Sequence, residues 1–159
     1  MHDKLDAIGS EFPQVSSISI FGLHGDLLAS SKFKRVPNVS IAMRNDFTTA
    51  RAIQAERYVS LPMRSMVTQN DVFNTSTGRT GPDGRFIGLV SVALRGDYFS
   101  RFYRELLGEE QSLTIPLYRQ DGGLLVSSNI PGMILEPRRE LMRLLPTHCV
   151  NIFHSVARA

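Results

Sequence analysis

The fold is decided by residues 81–103, GPDGRFIGLVSVALRGDYFSRFY, which read as a turn, a strand and a helix in direct succession. The Gly-Pro-Asp-Gly cluster at the start is typical of a tight turn. Residues 85–94 are mainly apolar and rich in β-branched side chains, which predicts a long strand. Asp97 is a favourable helix cap, so we expect a helix over 98–107, which a glycine then ends.

Ser91 is the one hydroxyl in this otherwise apolar strand. Because the strand is apolar on both faces, we expect it to lie centrally in a sheet and to be covered. A buried hydroxyl needs a hydrogen-bond partner. We therefore interpret Ser91 as a pocket residue, for which a ligand or its ordered water can supply that partner.

The residues before this stretch alternate between strand and helix patterns. Residues 3–9 read as the end of a helix, with a glycine at its terminus. Two β-rich runs around a glycine-containing turn predict a hairpin of strands 15–21 and 27–30. A helix over 46–55 is predicted after a polar loop, with Asp46 as its cap.

Two further strands are predicted between that helix and the opening stretch, at 58–66 and 72–79. Pro62 has no N–H to donate, so the first of them belongs at an edge or a bulge. A second hairpin is predicted over 113–128, with its turn at 120–123. A short helix over 138–145 is the last pattern in the chain.

Adjacent strands joined by short turns predict an antiparallel sheet with helices on one face. The predicted fold class is therefore α+β, with a PAS-like five-stranded antiparallel sheet flanked by helices and enclosing a cavity. The hairpin from residue 113 is interpreted as the start of a second, incomplete PAS-like module. The expected division is the end of an N-terminal helix (1–12), a ligand-binding module (13–110) and a partial module with a tail (111–159).

Composition and motifs argue against several classes of function. The 18 Lys and Arg residues are scattered in runs of at most two, so a nucleic-acid footprint is not expected. Signatures of nucleophilic, P-loop and zinc-peptidase sites are missing, so we expect no enzyme and no cofactor. His148, Cys149 and His154 do not have the spacing of a zinc site, so no metal is expected either.

Arg44 is the first candidate ligand-binding residue. It lies just before the predicted helix 46–55, after a long polar loop. A guanidinium in this position could face a pocket and bind a carboxylate through two hydrogen bonds. It could equally be a surface arginine beside a helix cap, and the local sequence leaves both interpretations open.

The second candidate is a set of polar side chains at alternating positions on the three predicted strands 58–66, 72–79 and 85–94. Strand faces that mix small, hydroxyl and amide groups with apolar ones are typical of a small-molecule pocket. The alternative is that these faces point to water, as one face of an antiparallel sheet often does. The polar and aromatic residues concerned are Tyr58, Ser60, Asn74, Ser76 and Ser91.

These segments together resemble the double Cache sensor domains of bacterial membrane receptors, above all those of diguanylate cyclases and histidine kinases. The strings that carry the resemblance, within residues 5–128, are MRNDFTTAR, YVSLPMRS, DGRFIGLVSVALRGDYFSRFYRELLG and LYRQDGGLLVSS. The resemblance implies a membrane-distal PAS-like ligand-binding module and a smaller membrane-proximal one. The chain departs from the family at both ends, because it has only the tip of the long N-terminal helix and too few residues for the second module.

The resemblance implies a periplasmic, ligand-sensing part of an inner-membrane signalling receptor, which binds a small carboxylate or an amino-acid-like metabolite. Arg44 would hold an anionic group, and Phe47 and Tyr58 would wall the pocket. The remaining candidates (Ser60, Asn74, Ser76 and Ser91) would hydrogen-bond the rest of the ligand. A membrane-anchored parent protein and a homodimer are further expectations. The alternative function is a ligand-free PAS-like module that serves dimerisation or another interaction.

Overall fold

The computed structural model describes residues 1–53, 57–110 and 112–128, which form an α+β fold. In chain order the elements are α1 (His2–Ser10), β1 (Val15–Phe21), β2 (Leu27–Ser30), α2 (Asn45–Ile53), β3 (Tyr58–Val59), β4 (Met63–Arg64), β5 (Asp71–Thr80), β6 (Phe86–Arg95), α3 (Gly96–Leu107), β7 (Pro116–Tyr118) and β8 (Leu124–Ser127). The α+β class and the antiparallel PAS-like sheet flanked by helices are confirmed. The predicted helix over 138–145 lies outside the described residues.

The main sheet is antiparallel, with the strand order β2-β1-β6-β5-β3 and with β4 also paired to β5. The strand of the opening stretch, β6, lies in the middle between β1 and β5, as predicted. The sheet has six strands and not five, because the segment 58–66 is split into β3 and β4. Pro62 lies in the gap between them, where its missing N–H interrupts no ladder.

Helices cover both faces of this sheet, so the prediction of helices on one face was wrong. On one face α2 packs its Phe47 and Ala50 against Phe21 of β1 and Leu89 of β6. On the other face α1 contributes Leu5, which packs on β1 and β2. Both faces of β6 are therefore covered, which is why its sequence is apolar on both sides.

The second hairpin and α3 pack on the same face of the main sheet as α1. Phe73 of β5 packs against Leu125 and Val126 of β8, with Phe99 of α3 beside them. The hairpin β7-β8 is a separate two-stranded sheet. Its side chains therefore join the core of the main sheet, although its strands do not extend that sheet.

Both helix caps were predicted at residues that are the second residue of the helix. Helix α2 begins at Asn45 and α3 at Gly96, so Asp46 and Asp97 lie in first turns. Asp97 pairs at the surface with Arg95, whose Nε lies 3.3 Å from Oδ1. Acidic side chains in the first turn are stabilised by the positive end of the helix dipole. The two Asp residues therefore indicated where each helix starts, but not which residue caps it.

Candidate functional site

A small cavity lies on the face of the sheet that α2 covers. It is walled by the three central strands β1, β5 and β6, by Arg44 just before α2, and by the turn that connects β4 to β5. Its volume is about 20 Å³, which is room for one or two water molecules. The lining residues are Ser17, Ser19, Phe21, Arg44, Ser65, Met66, Val67, Asn74, Ser91 and Ala93.

The polar wall of the cavity follows from the register of the three strands. Ser91 of β6 is paired with Ser19 of β1 on one side and with Ser76 of β5 on the other. The next row places Ser17, Ala93 and Asn74 side by side. Because alternate residues of a strand point to the same face, these two rows form one polar surface in the middle of the sheet.

The carboxylate of Asp46 is the fully buried anion beside this surface. Arg44 pairs with it through Nε and Nη2, and the Nε–Oδ1 distance is 3.0 Å. The backbone N–H of Phe47 donates to Oδ1 at 3.0 Å, and the hydroxyl of Ser76 lies 3.5 Å from Oδ2. Since a buried charge needs a counter-charge and hydrogen bonds, Asp46 is stabilised here chiefly by Arg44.

Asn74 carries an unpaired acceptor at the cavity. Its side chain is 95% buried, and its Nδ2 faces Asp46 Oδ2 at 3.5 Å and Met63 Sδ at 4.0 Å. Within residues 1–53, 57–110 and 112–128, no group donates a hydrogen bond to its Oδ1. Buried side-chain oxygens in folded proteins nearly always have a partner, so this atom is exceptional.

Of the predicted ligand-binding residues, the structure brings Arg44, Asn74 and Ser91 together at the cavity. Ser76 lies beside them, and its hydroxyl is 3.0 Å from that of Ser91. This contact corrects the expectation that a ligand or water supplies the partner of Ser91. The guanidinium of Arg44 holds the carboxylate of Asp46 through Nε and Nη2, and its contact with a ligand remains a prediction.

The other three predicted residues lie elsewhere. Phe47 is in the apolar core, edge-on to Phe86 with 5.7 Å between ring centroids. Ser60 accepts a hydrogen bond from the backbone N–H of Asn74 at 2.9 Å, and its hydroxyl donates to a backbone carbonyl. Tyr58 lies at the sheet edge under Arg119, whose guanidinium is 5.8 Å from the ring centroid. None of these three residues lines the cavity, and their contacts stabilise the core and the edge of the sheet.

Arg119 fixes the second hairpin to the edge of the main sheet. Its Nη1 donates to the Val59 carbonyl at 2.9 Å, and its Nε donates to Asp121 at 2.7 Å. The hydrogen bond from Arg119 lowers the pKa of the Asp121 carboxyl, and the same bond raises the pKa of Arg119. This ion pair is distinct from the cavity, because neither of its residues lines the cavity.

The sequence analysis missed several cavity residues. Ser17 and Ser19 alternate with the apolar residues of β1, which was a signal for a polar face, but only the strand order places them beside Ser91. Asp46 was interpreted as a helix cap only. The turn residues at the cavity (Ser65, Met66 and Val67) carried no sequence signal.

The described ranges hold no group of three or more His, Cys, Asp or Glu residues that could bind a metal ion. None of the helices found in them is long and apolar enough to cross a membrane.

The fold is similar to that of several solved receptor domains, whereas no family model and no curated protein match the sequence. The extracellular domain of rpHK1S-Z16, a protein classed as a histidine kinase, superposes with a TM-score of 0.73 at 30% identity. The alignment covers 84% of this chain and 56% of that domain, so the chain spans about half of its length.

Two more distant structures share the fold. The sensor domain of the Vibrio cholerae histidine kinase DctB superposes with a TM-score of 0.60 at 11% identity, covering 80% of this chain and 46% of that one. The ligand-binding domain of the Pseudomonas aeruginosa chemoreceptor PctC, solved with GABA, gives a TM-score of 0.58 at 11% identity, covering 79% and 54%. The fold of this chain is that of the extracytoplasmic sensor domains of bacterial receptors, in agreement with the resemblance to Cache domains.

Proposed function

We propose that this chain is the ligand-sensing part of an extracytoplasmic receptor domain, and that it binds a small carboxylate or amino-acid-like metabolite in the cavity beside Ser91. The observation that carries the proposal is the polar surface in the middle of the sheet. A core strand buries hydroxyl and amide groups at a cost unless they are paired. Here Asn74 Oδ1 lacks a protein partner in the described part of the chain.

The hydroxyls of Ser17 and Ser19 support the same site. Both residues are buried, line the cavity and make no side-chain hydrogen bond to any described residue. Together with Arg44 and Asn74 they supply donors and acceptors from three sides. A few convergent polar groups in a mostly covered pocket are the usual composition of a small-molecule site.

Ligand entry requires the cavity to enlarge, because its volume is far below that of an amino acid. The turn between β4 and β5 is the wall that can move. Met66 in this turn lines the cavity and is 51% exposed, and the turn is linked to β1 by the hydrogen bond between the hydroxyls of Thr68 and Ser16 at 3.0 Å. A ligand that binds only the opened turn shifts the population of the two states, which is the physical basis of a sensor.

The proposal extends to the parent protein. We propose that the parent protein is a membrane-anchored receptor that acts as a homodimer, and that this domain carries no catalysis; the similarity to the extracellular domain of a histidine kinase supports the membrane anchor. We further propose that residues 13–110 form the membrane-distal module. A partial membrane-proximal module then begins at residue 111, and the hairpin β7-β8 is its first element.

A thermal-shift screen of the purified chain against pools of organic acids and amino acids tests this function. A ligand that binds the native state alone raises the melting temperature in proportion to the logarithm of its concentration. We expect at least one pool of these two classes to raise it. Failure of every such pool at millimolar concentration would contradict the proposal and favour the ligand-free interaction module.

A further inference from the structure

We propose that an exposed apolar stripe on α3 is the docking surface of segment 138–145 of the same chain. The stripe consists of Phe99, Phe102 and Leu106, which lie on one side of the helix because residues three and four apart are neighbours there. The stripe is separate from the cavity, since α3 contributes no residue to the lining given above.

The stripe runs from the core into solvent. Phe99 packs with Phe73 of β5 at 5.5 Å between ring centroids, whereas Phe102 is 44% and Leu106 63% exposed. Among the 12 residues of α3, all of which the structure describes, Ser100 is the one that is fully buried. Because an amphipathic helix is stabilised mainly by packing of its apolar side, the uncovered part of this stripe calls for a partner.

The chain passes beside this stripe as it leaves the described residues. Strand β8 packs against Phe99, and Ser128 directly after it exchanges two hydrogen bonds with Ile115, from its backbone N–H at 3.1 Å and to its Oγ at 3.0 Å. Residues 129–137 can span about 30 Å when extended, and α3 is only about 18 Å long. Segment 138–145 can therefore reach every part of the stripe.

The sequence of segment 138–145, RRELMRLL, has the pattern that the stripe requires. Leu141, Leu144 and Leu145 are three and four residues apart, so the helix predicted there carries them on one side. Such a helix is about 12 Å long, which is close to the length of the stripe. Its leucine side therefore matches the stripe in both chemistry and size.

The charges at the rim favour the same pairing. Glu105 precedes Leu106 on α3 and is exposed, and it is in no ion pair within the described ranges. Segment 138–145 carries three arginines and one glutamate, and Arg138 lies three residues before Leu141, at the border of the leucine side. An arginine at that border can pair with an acidic residue beside the stripe.

The size of the stripe argues against a second copy of the chain as its partner. Since a phenylalanine or leucine side chain has about 150–250 Å² of surface, Phe102 and Leu106 together expose on the order of 200 Å². A stable interface between two proteins buries about 800 Å² on each partner. A segment of the same chain needs far less area, because its tether gives it an effective concentration in the millimolar range.

Oxidative crosslinking of the full chain tests the proposal in a Cys149→Ser background, which removes the only cysteine. Leu106→Cys is combined in turn with a cysteine substitution at each leucine of the segment (Leu141, Leu144 and Leu145). Leu28→Cys, combined with the same partners, is the control, because Leu28 is 51% exposed and its strand β2 is three strands away from β5 in the main sheet. A disulfide requires Cα atoms within about 7 Å, so only a docked segment brings a pair into range.

We expect at least one Leu106→Cys pair to form an intrachain disulfide at least about tenfold faster than every Leu28→Cys pair. Intrachain rates equal to those of the control would overturn the proposal. Disulfides formed only between chains would also overturn it, and would assign the stripe to a second copy.

Hydrogen exchange of the wild-type chain decides the matter even if the cysteine variants do not fold. The backbone amides of residues 142–145 should exchange at least about a hundredfold more slowly than in an unstructured peptide. Leu106→Glu should reduce this protection at least about tenfold, whereas Leu28→Glu should keep it. Absence of protection in wild type, or full protection in Leu106→Glu, would contradict docking on the stripe.

Discussion

Arg44 and Asp46 are two residues apart in the sequence, and the guanidinium of one holds the carboxylate of the other through Nε and Nη2 at the start of α2. The Asp46 side chain has no exposed surface, whereas that of Arg44 is 22% exposed. The pair therefore anchors the polar wall of the cavity, since Asn74 and Ser76 are both oriented towards Asp46. A site that was predicted to grip an anionic ligand with Arg44 contains its own anion.

The first prediction concerns this buried carboxylate. Asp46→Asn removes the counter-charge of Arg44 and should lower the free energy of unfolding by about 2–4 kcal/mol, between the loss of one charged hydrogen bond and that of a fully buried pair. Urea denaturation monitored by circular dichroism measures the change. Asp71→Asn is the matched control, because its pair with Arg64 is exposed and should be worth less than about 1 kcal/mol. Equal effects of the two substitutions would mean that the burial of Asp46 has no energetic consequence.

Ser91 and Ser19 are neighbours across β1 and β6, but they differ in their hydrogen bonds. Ser91→Ala removes the nearer partner of the Ser76 hydroxyl, which also lies 3.5 Å from Asp46 Oδ2, and should cost about 1 kcal/mol of stability. Ser19→Ala removes a hydroxyl that no described side chain binds, so it should change stability by less than about 0.5 kcal/mol. Thermal denaturation of both variants in parallel tests the difference. A larger loss for Ser19→Ala would show that its hydroxyl has a structural partner.

Gly88 allows β6 to approach β1 at its start. Its φ of +144° is unfavourable for other residues, and a Cβ here would lie 2.1 Å from the Phe21 carbonyl oxygen. Gly88→Ala should therefore destabilise the chain by about 3 kcal/mol or more. Gly84→Ala is the control, since Gly84 also has a positive φ but open space around its Cβ position, and it should cost about 1 kcal/mol. Similar unfolding midpoints for the two variants would contradict the close packing of β6 on β1.

The ion pair between Arg119 and Asp121 predicts a dependence on pH. The pKa of Asp121 is lowered in the folded chain, first by the hydrogen bond from Arg119 and also by the Gly123 N–H. A lowered folded pKa adds stability that is complete above the unfolded value near 3.8 and is lost as the pH falls through the folded value. Asp121→Asn should thus be less stable than wild type at pH 7, by under about 1 kcal/mol because Asp121 is mostly exposed. The two stabilities should converge below pH 3.8, and a constant difference down to pH 2 would exclude the ion pair as the cause.

Much of the fold could be predicted from local patterns. The strand of residues 85–94 was found because its apolar and β-branched residues are continuous, and its central position follows from the same feature. The two-way split of 58–66 was harder to predict, because Pro62 indicates an irregularity but not whether pairing resumes beyond it. The placement of α1 and α3 opposite α2 depends on long-range packing, which a single sequence does not reveal.

The site was predicted less completely, for reasons that are particular to its residues. Asn74, Ser76 and Ser91 stood out because polar residues alternate with apolar ones on their strands. Tyr58 was assigned to the pocket by strand alternation and Phe47 by family resemblance, whereas Phe47 packs in the core and Tyr58 against Arg119. The partner of Arg44 was visible two residues away, but helix capping explained Asp46 equally well until its burial was known.

The central claim is that the cavity beside Ser91 is the ligand site. Ser19→Val tests it most directly, because valine suits a strand and its added methyl groups would fill a space of about 20 Å³. Thr77→Val, on the opposite face of the sheet, is the control for the same change of side chain. The measurement is a calorimetric titration of wild type and both variants with the strongest ligand of the thermal-shift screen. We expect Thr77→Val to bind with wild-type affinity. Ser19→Val should keep the wild-type melting temperature but lose at least about a hundredfold in affinity. Wild-type affinity in a folded Ser19→Val would place the ligand elsewhere.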